Sequence, residues 1–268
     1  MSNKPASLFK RFTAFFIDLI LIGIVYFLVT TFIATPISER KYQYNEKIEY
    51  LNSVVSKAVL DYGIGFEENG EIIIYEADKY IEVKSEDYIR NNPNIEIDVE
   101  KLKNDIYEEY YDKYQKCMES LDNNEEYRET ISFVSAIDTF NFIYSVFIGE
   151  LIFVFFVPFF GKKSQTVGQM LLRLATVNKN ETRIKKSKII IRFLVMFLIE
   201  TAVPYIFMGS NFIIGIGLML FVLVFLNPNK QNFHDIISNT KIVEEDTAKI
   251  FNTIEEKNAY DKKIKEGK

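Results

Sequence analysis

The chain has 268 residues, one cysteine, one histidine, no tryptophan and a formal charge of −5. A single cysteine excludes an intramolecular disulfide, and a single histidine excludes a histidine-based metal cluster. The mean hydropathy of zero averages an apolar material and a strongly polar one, because charges are sorted into blocks that an ordinary soluble domain does not show.

In chain order, residues 1–11 carry three positive charges and no negative ones, and residues 12–38 carry only Asp18. A bilayer core of ~30 Å needs about 20 helical residues, so this block predicts a first span. Its basic start resembles a signal peptide, but the apolar run is too long and no cleavage site is convincing, which predicts a retained anchor. Residues 37–130 then carry 12 Lys/Arg against 24 Asp/Glu. They are too rich in Tyr, Ile and Val for a solvated linker. Ile48, Leu51, Val54, Val55, Ala58 and Val59 recur at helical spacing, as do Ile106, Tyr110, Tyr114 and Cys117. Between them Asn69-Gly70 signals a hairpin, and residues 72–75 and 80–83 read as short strands. Cys117 reads as a buried small hydrophobe. The acidity would attract cations or basic partners, or serve only to solubilise an exposed surface.

Asp138 opens the second apolar block and is expected at a helix N-terminus. Residues 139–161 carry one charge, Glu150. Residues 161–188 are basic, with eight Lys/Arg against one acid. There Val167, Met170, Leu171 and Leu174 share a helical face, which predicts a short amphipathic helix on the membrane surface. Residues 189–229 carry Arg192 and Glu200. As one helix they would reach about 60 Å, twice the bilayer, so the block is expected to fold back. Met208-Gly209-Ser210-Asn211 is the better turn and Pro204 a competing break, leaving a last span near 212–227. Residues 244–268 read as a frayed helix or as disorder.

The fold class expected is an all-α membrane protein: a four-span helical bundle with an α+β extracytoplasmic insertion between spans one and two. Basic flanks stay in the cytoplasm. This organises the chain as follows: a cytoplasmic N-terminus and first transmembrane helix at 1–36; the acidic insertion at 37–130; a second transmembrane helix at 131–160; a basic cytoplasmic loop at 161–188; a transmembrane hairpin at 189–227; and a cytoplasmic tail at 228–268. The setting expected is a cell membrane, with both termini cytoplasmic.

An aspartate at a helix centre costs roughly 2.5–3.5 kcal/mol on insertion scales, less if it faces a bundle interior, water or a cation. Arg11 and Asp18 are seven residues apart, within about 20° on one helix face but ~10 Å apart along the axis. A shared water or a group from another helix joins them more easily than a direct pair. Glu150 lies mid-span, Arg192 near the start of the third apolar block, and Glu200 deeper. These groups either line a polar path for protons, ions or a small solute, or lock the bundle together through buried pairs.

Three stretches carry a family likeness. Arg11-Phe12-Thr13-Ala14-Phe15-Phe16-Ile17-Asp18 resembles the opening of RDD-family membrane proteins. Residues 161–172 (GKKSQTVGQMLL) resemble that family's G-x-T-x-G-K-x-L stretch, and residues 227–243, with His234-Asp235 and Asn239-Thr240, resemble its closing D-P…H-D…G-T-x-V. The resemblance covers about 1–36 and 131–243 and implies a multi-pass bacterial membrane protein with Asp235 as the second family aspartate. Arg192 matches an arginine common at its position. Transport has been suggested for the family, and sodium–proton exchange is associated with some members. Ser164 and Asn239 stand at positions where the family has glycine, Gln169 where it has lysine, and Asn227 where it has aspartate. Asp235 is expected to pair with Arg11 and tie the bundle ends together.

No CxxC, HExxH or nucleophile elbow occurs, and Gly161-Lys162 lacks the rest of a phosphate loop. No enzyme, cofactor, metal or nucleic-acid role is expected. The partners expected are the lipid bilayer and, left open, a membrane or extracytoplasmic protein or a second copy of the chain. The candidate transport or buried-charge residues are Arg11, Asp18, Glu150, Arg192, Glu200 and Asp235. Transport of an ion or small solute, alone or as an accessory, competes with a non-transporting scaffold whose external domain binds a partner.

Overall fold

The computed structural model describes residues 5–161, 163–209 and 231–266, and they are mostly helical. The chain divides into two compact units, residues 1–37 with 138–268 and residues 38–137. Three helical runs among the described residues are long and apolar enough to cross a bilayer: Leu8–Tyr42, Glu125–Phe160 and Lys186–Phe207. Only 22% of the most apolar window of each is buried, so most of that surface faces outward. The expected fourth span at 212–227 lies outside the described residues.

In the first unit, helix α1 (Leu8–Val29) starts at Ser7, whose side chain accepts a hydrogen bond from the Lys10 amide. Its outer face presents Phe9, Phe12, Phe16, Ile20, Ile24 and Phe27; its inner face buries Arg11, Ala14, Asp18 and Ile22. The run continues through a π-helical segment, Thr30–Ala34, into α2 (Thr35–Tyr42). The second run is α6 (Glu125–Glu150), a π-helical segment Leu151–Phe156, and α7 (Val157–Phe160). The third is α9 (Lys186–Val195), a π-helical segment Met196–Ala202, and α10 (Val203–Met208).

Each π-helical segment ends just before a proline, Pro36, Pro158 or Pro204, in the first turn of the helix that follows. Proline has no N–H, and its ring crowds the carbonyl four residues back; widening the preceding turn relieves that clash without ending the helix. Pro204 therefore does not break the third run, which continues to Met208 and stops at Gly209, with φ of 55°. Asp138 lies inside α6 rather than at a helix start, because the helix already opens at Glu125.

The basic segment 161–188 differs from expectation. Its helix, α8, is only Val167–Leu171. Arg173, at φ 52°, ends the helical path, and Leu174 opens strand β3 (Leu174–Asn178), buried along its whole length. Strand β4 (Thr240–Glu244) pairs with it antiparallel, from Leu174 opposite Glu244 to Asn178 opposite Thr240. The N-terminal strap joins the same sheet, with the Ala6 amide donating to the Ile242 carbonyl at 2.9 Å. The helix α11 (Phe233–Ile237) precedes β4, and in the tail, where weak spacing fits helix or disorder, Ile254–Lys265 forms helix α12.

Ser164 and Asn239, which stand at positions of family glycines, both adopt positive φ, 52° and 55°. The backbone there takes the left-handed shape that glycine adopts without strain.

The second unit, residues 38–137, holds α3 (Tyr44–Asp61), the hairpin β1 (Gly65–Glu68) and β2 (Glu71–Ile74), α4 (Ala77–Asn91), α5 (Val99–Asn123) and the beginning of α6. The hairpin turns at Asn69-Gly70, both at positive φ, as its sequence predicts. Residues 80–83 are helical, not a strand. Four alternating residues are too short a signal against fifteen that bury Tyr80 and Ser85 and half-bury Ala77 and Ile81 on one helical side. The core joins Val59, Ile64, Tyr80, Ile106, Tyr110, Cys117 and Leu121. The Tyr110 hydroxyl donates to the Tyr75 carbonyl at 2.7 Å, and the Tyr80 and Tyr110 rings lie 5.0 Å apart. Cys117 is fully buried, and burial pushes its thiol pKa up.

Candidate functional site

Arg11 and Asp18 share the inner face of α1, but each meets a different partner. Asp18 accepts from the Thr166 hydroxyl at 2.6 Å and from the Gly168 amide at 2.8 Å. α8 reaches α1 closely enough for this only because residue 168 is glycine: a Cβ there would lie 2.0 Å from the Ala14 carbonyl oxygen. Thr166 and Gln169 close the start of α8 as a reciprocal cap, and the Gln169 side chain also accepts from the Thr176 hydroxyl at 3.1 Å. The lysine usual in the family at residue 169 is therefore replaced by a buried neutral cap. Lys163 instead pairs with Glu245.

Arg11 reaches Asp235 at 3.4 Å, the pairing expected of the two ends of the bundle. Arg192 also binds the Asp235 carboxylate, and it donates to the Thr240 hydroxyl at 2.6 Å. Asp235 is completely buried and accepts from Thr240 as well, at 3.1 Å. Burial pushes its pKa up, but Arg192, His234 and Arg11 outweigh burial and hold it below the usual carboxylate range. Two guanidinium groups thus share one carboxylate, with β4 and α11 positioning the acid and α1 and α9 the bases.

Next to this triad, the His234 amide donates to Glu200 Oε1 at 2.9 Å and its ring Nδ1 lies 2.9 Å from Glu200 Oε2. The other ring nitrogen is 3.8 Å from Asp235 Oδ1, so His234 stands between the two acids. Glu150 accepts from the Thr201 hydroxyl at 2.8 Å, while its Oε2 is buried with no hydrogen-bond partner among the described residues. Arg11 Nε is likewise buried and unpartnered among the described residues.

The six charged residues singled out from sequence all lie in the first unit and all are buried or nearly so. Arg11, Arg192 and Asp235 form one contact group. His234 joins Glu200 to it, and Thr201, the neighbour of Glu200, holds Glu150. Asp18 is tied instead to α8. Sequence reasoning missed the partners that organise these charges: His234, Thr240, Thr201, Thr166 and Gly168. The family-like T-x-G, H-D and G-T-x-V stretches contain four of them, but spacing along the chain carries no sign of which acid each would meet.

A cavity of about 530 Å³ opens against this group. Arg11, Asp18, Thr166, Gln169, Arg192 and His234 line its polar part. Among the described residues, no set of three or more His, Cys, Asp or Glu side chains is arranged to hold a metal ion.

Apolar runs of span length that enclose buried, mutually paired charges define the membrane-protein class. Residues 113–239 match the model of the RDD family, so the chain carries an RDD family domain. That stretch contains Glu150, Arg192, Glu200 and Asp235, while Arg11 and Asp18 precede it. It also reaches back into α5, beyond the part that resembles the family by motif. No curated protein and no solved structure matches the chain.

Proposed function

We propose that the first unit moves a proton, sodium ion or small solute across the bacterial cell membrane, with both termini cytoplasmic. One observation carries this reading: Asp18, Arg11, Arg192 and His234 line a single cavity, and His234 links it to the buried Glu200. Ionisable groups within membrane helices are costly and are retained where they serve a path or a relay. In this mechanism Asp18, Glu200 and His234 exchange a proton or cation, and the Arg11–Asp235–Arg192 group is the latch that closes one end.

The test is flux in proteoliposomes under an imposed pH or sodium gradient. Wild-type protein is expected to dissipate the gradient, and Glu200→Gln and Asp18→Asn to lose that activity. Flux unchanged in both variants would sink the relay. The scaffold reading draws on a different observation, that residues 38–137 hold a core of their own. It predicts that deleting those residues removes a co-purifying partner while the apolar helices still insert.

A further inference from the structure

We infer that the 530 Å³ cavity is a binding site for an anion carried on an apolar chain, a carboxylate or phosphate head with a hydrocarbon tail. The inference uses the same cavity as the transport reading but concerns occupancy, not flux. Three observations point to this chemistry.

The polar end is guanidinium-rich. Arg11 and Arg192 both line the cavity and share a single carboxylate, Asp235, so their combined charge exceeds what that partner cancels. Asp18, the acid that lines the cavity among the described residues, is taken up by the Thr166 hydroxyl and the Gly168 amide rather than by either arginine. Both arginines reach the cavity wall, so an oxyanion held there gains charge-assisted hydrogen bonds from guanidinium groups.

Most of the remaining wall is apolar. Leu8, Phe12, Phe15, Ile189 and Met196 line it. A small inorganic anion would leave that surface unused, whereas a hydrocarbon chain covers it. The volume falls within the range of about 300–1,000 Å³ typical of small-molecule sites.

The wall also continues outward. Phe9 and Phe12 line the cavity and are 80% and 67% exposed, on the face that α1 presents to its surroundings. A tail longer than the cavity can therefore run from the polar end onto the apolar outer surface of α1. This favours an amphiphile over a compact solute.

Free fatty acid and membrane phospholipid offer the same head-and-tail chemistry, and the experiment separates them. The full chain, purified in a neutral detergent, is titrated with oleate, dioleoyl phosphatidylglycerol, oleyl alcohol and inorganic phosphate. Thermal unfolding and native mass spectrometry report binding, since a ligand that binds only the folded state raises the melting point. Oleate or phosphatidylglycerol is expected to raise the melting temperature by several degrees and to add one equivalent of mass. Oleyl alcohol and phosphate should do neither. Whichever of the two anions binds names the source.

Arg11→Gln is expected to weaken binding at least tenfold. Because that variant also disturbs the Asp235 pair, Phe12→Glu provides a second measure: it sits at the exposed rim and sets a like charge at the mouth. Tenfold weaker binding in Phe12→Glu with an unchanged melting temperature of the ligand-free protein supports the site. An equal response to oleyl alcohol, no response to either anion, or undiminished binding in both variants overturns it. Flux assays are not involved, so transport and this occupancy can fail separately.

Discussion

The two units bury opposite kinds of side chain. Residues 38–137 pack Val59, Ile64, Tyr80, Tyr110 and Cys117 inward and leave their many carboxylates in water. The first unit does the reverse along its apolar helices, turning phenylalanines and isoleucines outward and closing Asp18, Glu150, Glu200 and Asp235 inside. The unit with an aqueous surface gains its stability from apolar burial. Where the surroundings are as apolar as the side chains, packing, hydrogen bonds and ion pairs hold helices together. A substitution of one type should therefore act very differently in the two places.

The largest effect expected is from Asp235→Leu, which leaves Arg11 and Arg192 buried without their shared carboxylate. Breaking a buried pair costs about 3–5 kcal/mol, and the melting temperature of the detergent-solubilised chain should drop accordingly. Protease resistance of residues 38–137 should be unaffected. Tyr80→Ala is the counterpart in the second unit, with a loss of about 3–5 kcal/mol from cavity formation and a newly protease-sensitive insertion. If either change destabilises both units equally, the contrast fails.

Gly168→Ala should cost about 1–3 kcal/mol, because the added methyl meets the Ala14 carbonyl and pushes α8 away from Asp18. Its signature is that Asp18→Asn adds little further loss in the double variant, because the contact between α8 and Asp18 is already broken.

Acid sharpens the comparison more gently. Asp235 has a folded pKa below its unfolded value of about 3.9, so its stabilisation is fully present above that pH and is lost as pH falls through the folded pKa. Melting temperature should thus hold from neutral pH down to about 4 and decline below it, and Asp235→Leu should lack that component of the decline. The smallest effect belongs to the exposed pair Lys116–Asp112 in α5, where Lys116→Ala should leave unfolding unchanged within error.

Much of this arrangement can be read along the chain, for reasons particular residues make plain. Long apolar runs interrupted by single charges identify Arg11, Asp18, Glu150, Arg192 and Glu200 without knowledge of their neighbours. The hairpin at Asn69-Gly70 and the helices through Ile48 and Ile106 rest on local chemistry, and local chemistry survives folding. What escapes is non-local. Leu174 fits an amphipathic helix as well as it fits β3, and only Thr240–Glu244, some seventy residues later, decides for the strand. His234 looks ordinary until Glu200 is placed against it. Tyr80 fits a strand by alternation and a helix by its longer context, and packing on Tyr110 selects the helix.

The proline-associated widened turns carry a mechanical consequence. A straight α-helix transmits displacement along its axis, because every backbone bond resists bending. Where a turn is loosened ahead of Pro36, Pro158 or Pro204, the bond from the missing N–H cannot be restored, so each crossing rod has a built-in joint at a fixed height along its own length. In the third run that joint includes Glu200 and Thr201, so a tilt of the rod there would shift the grip on His234 and Glu150 together.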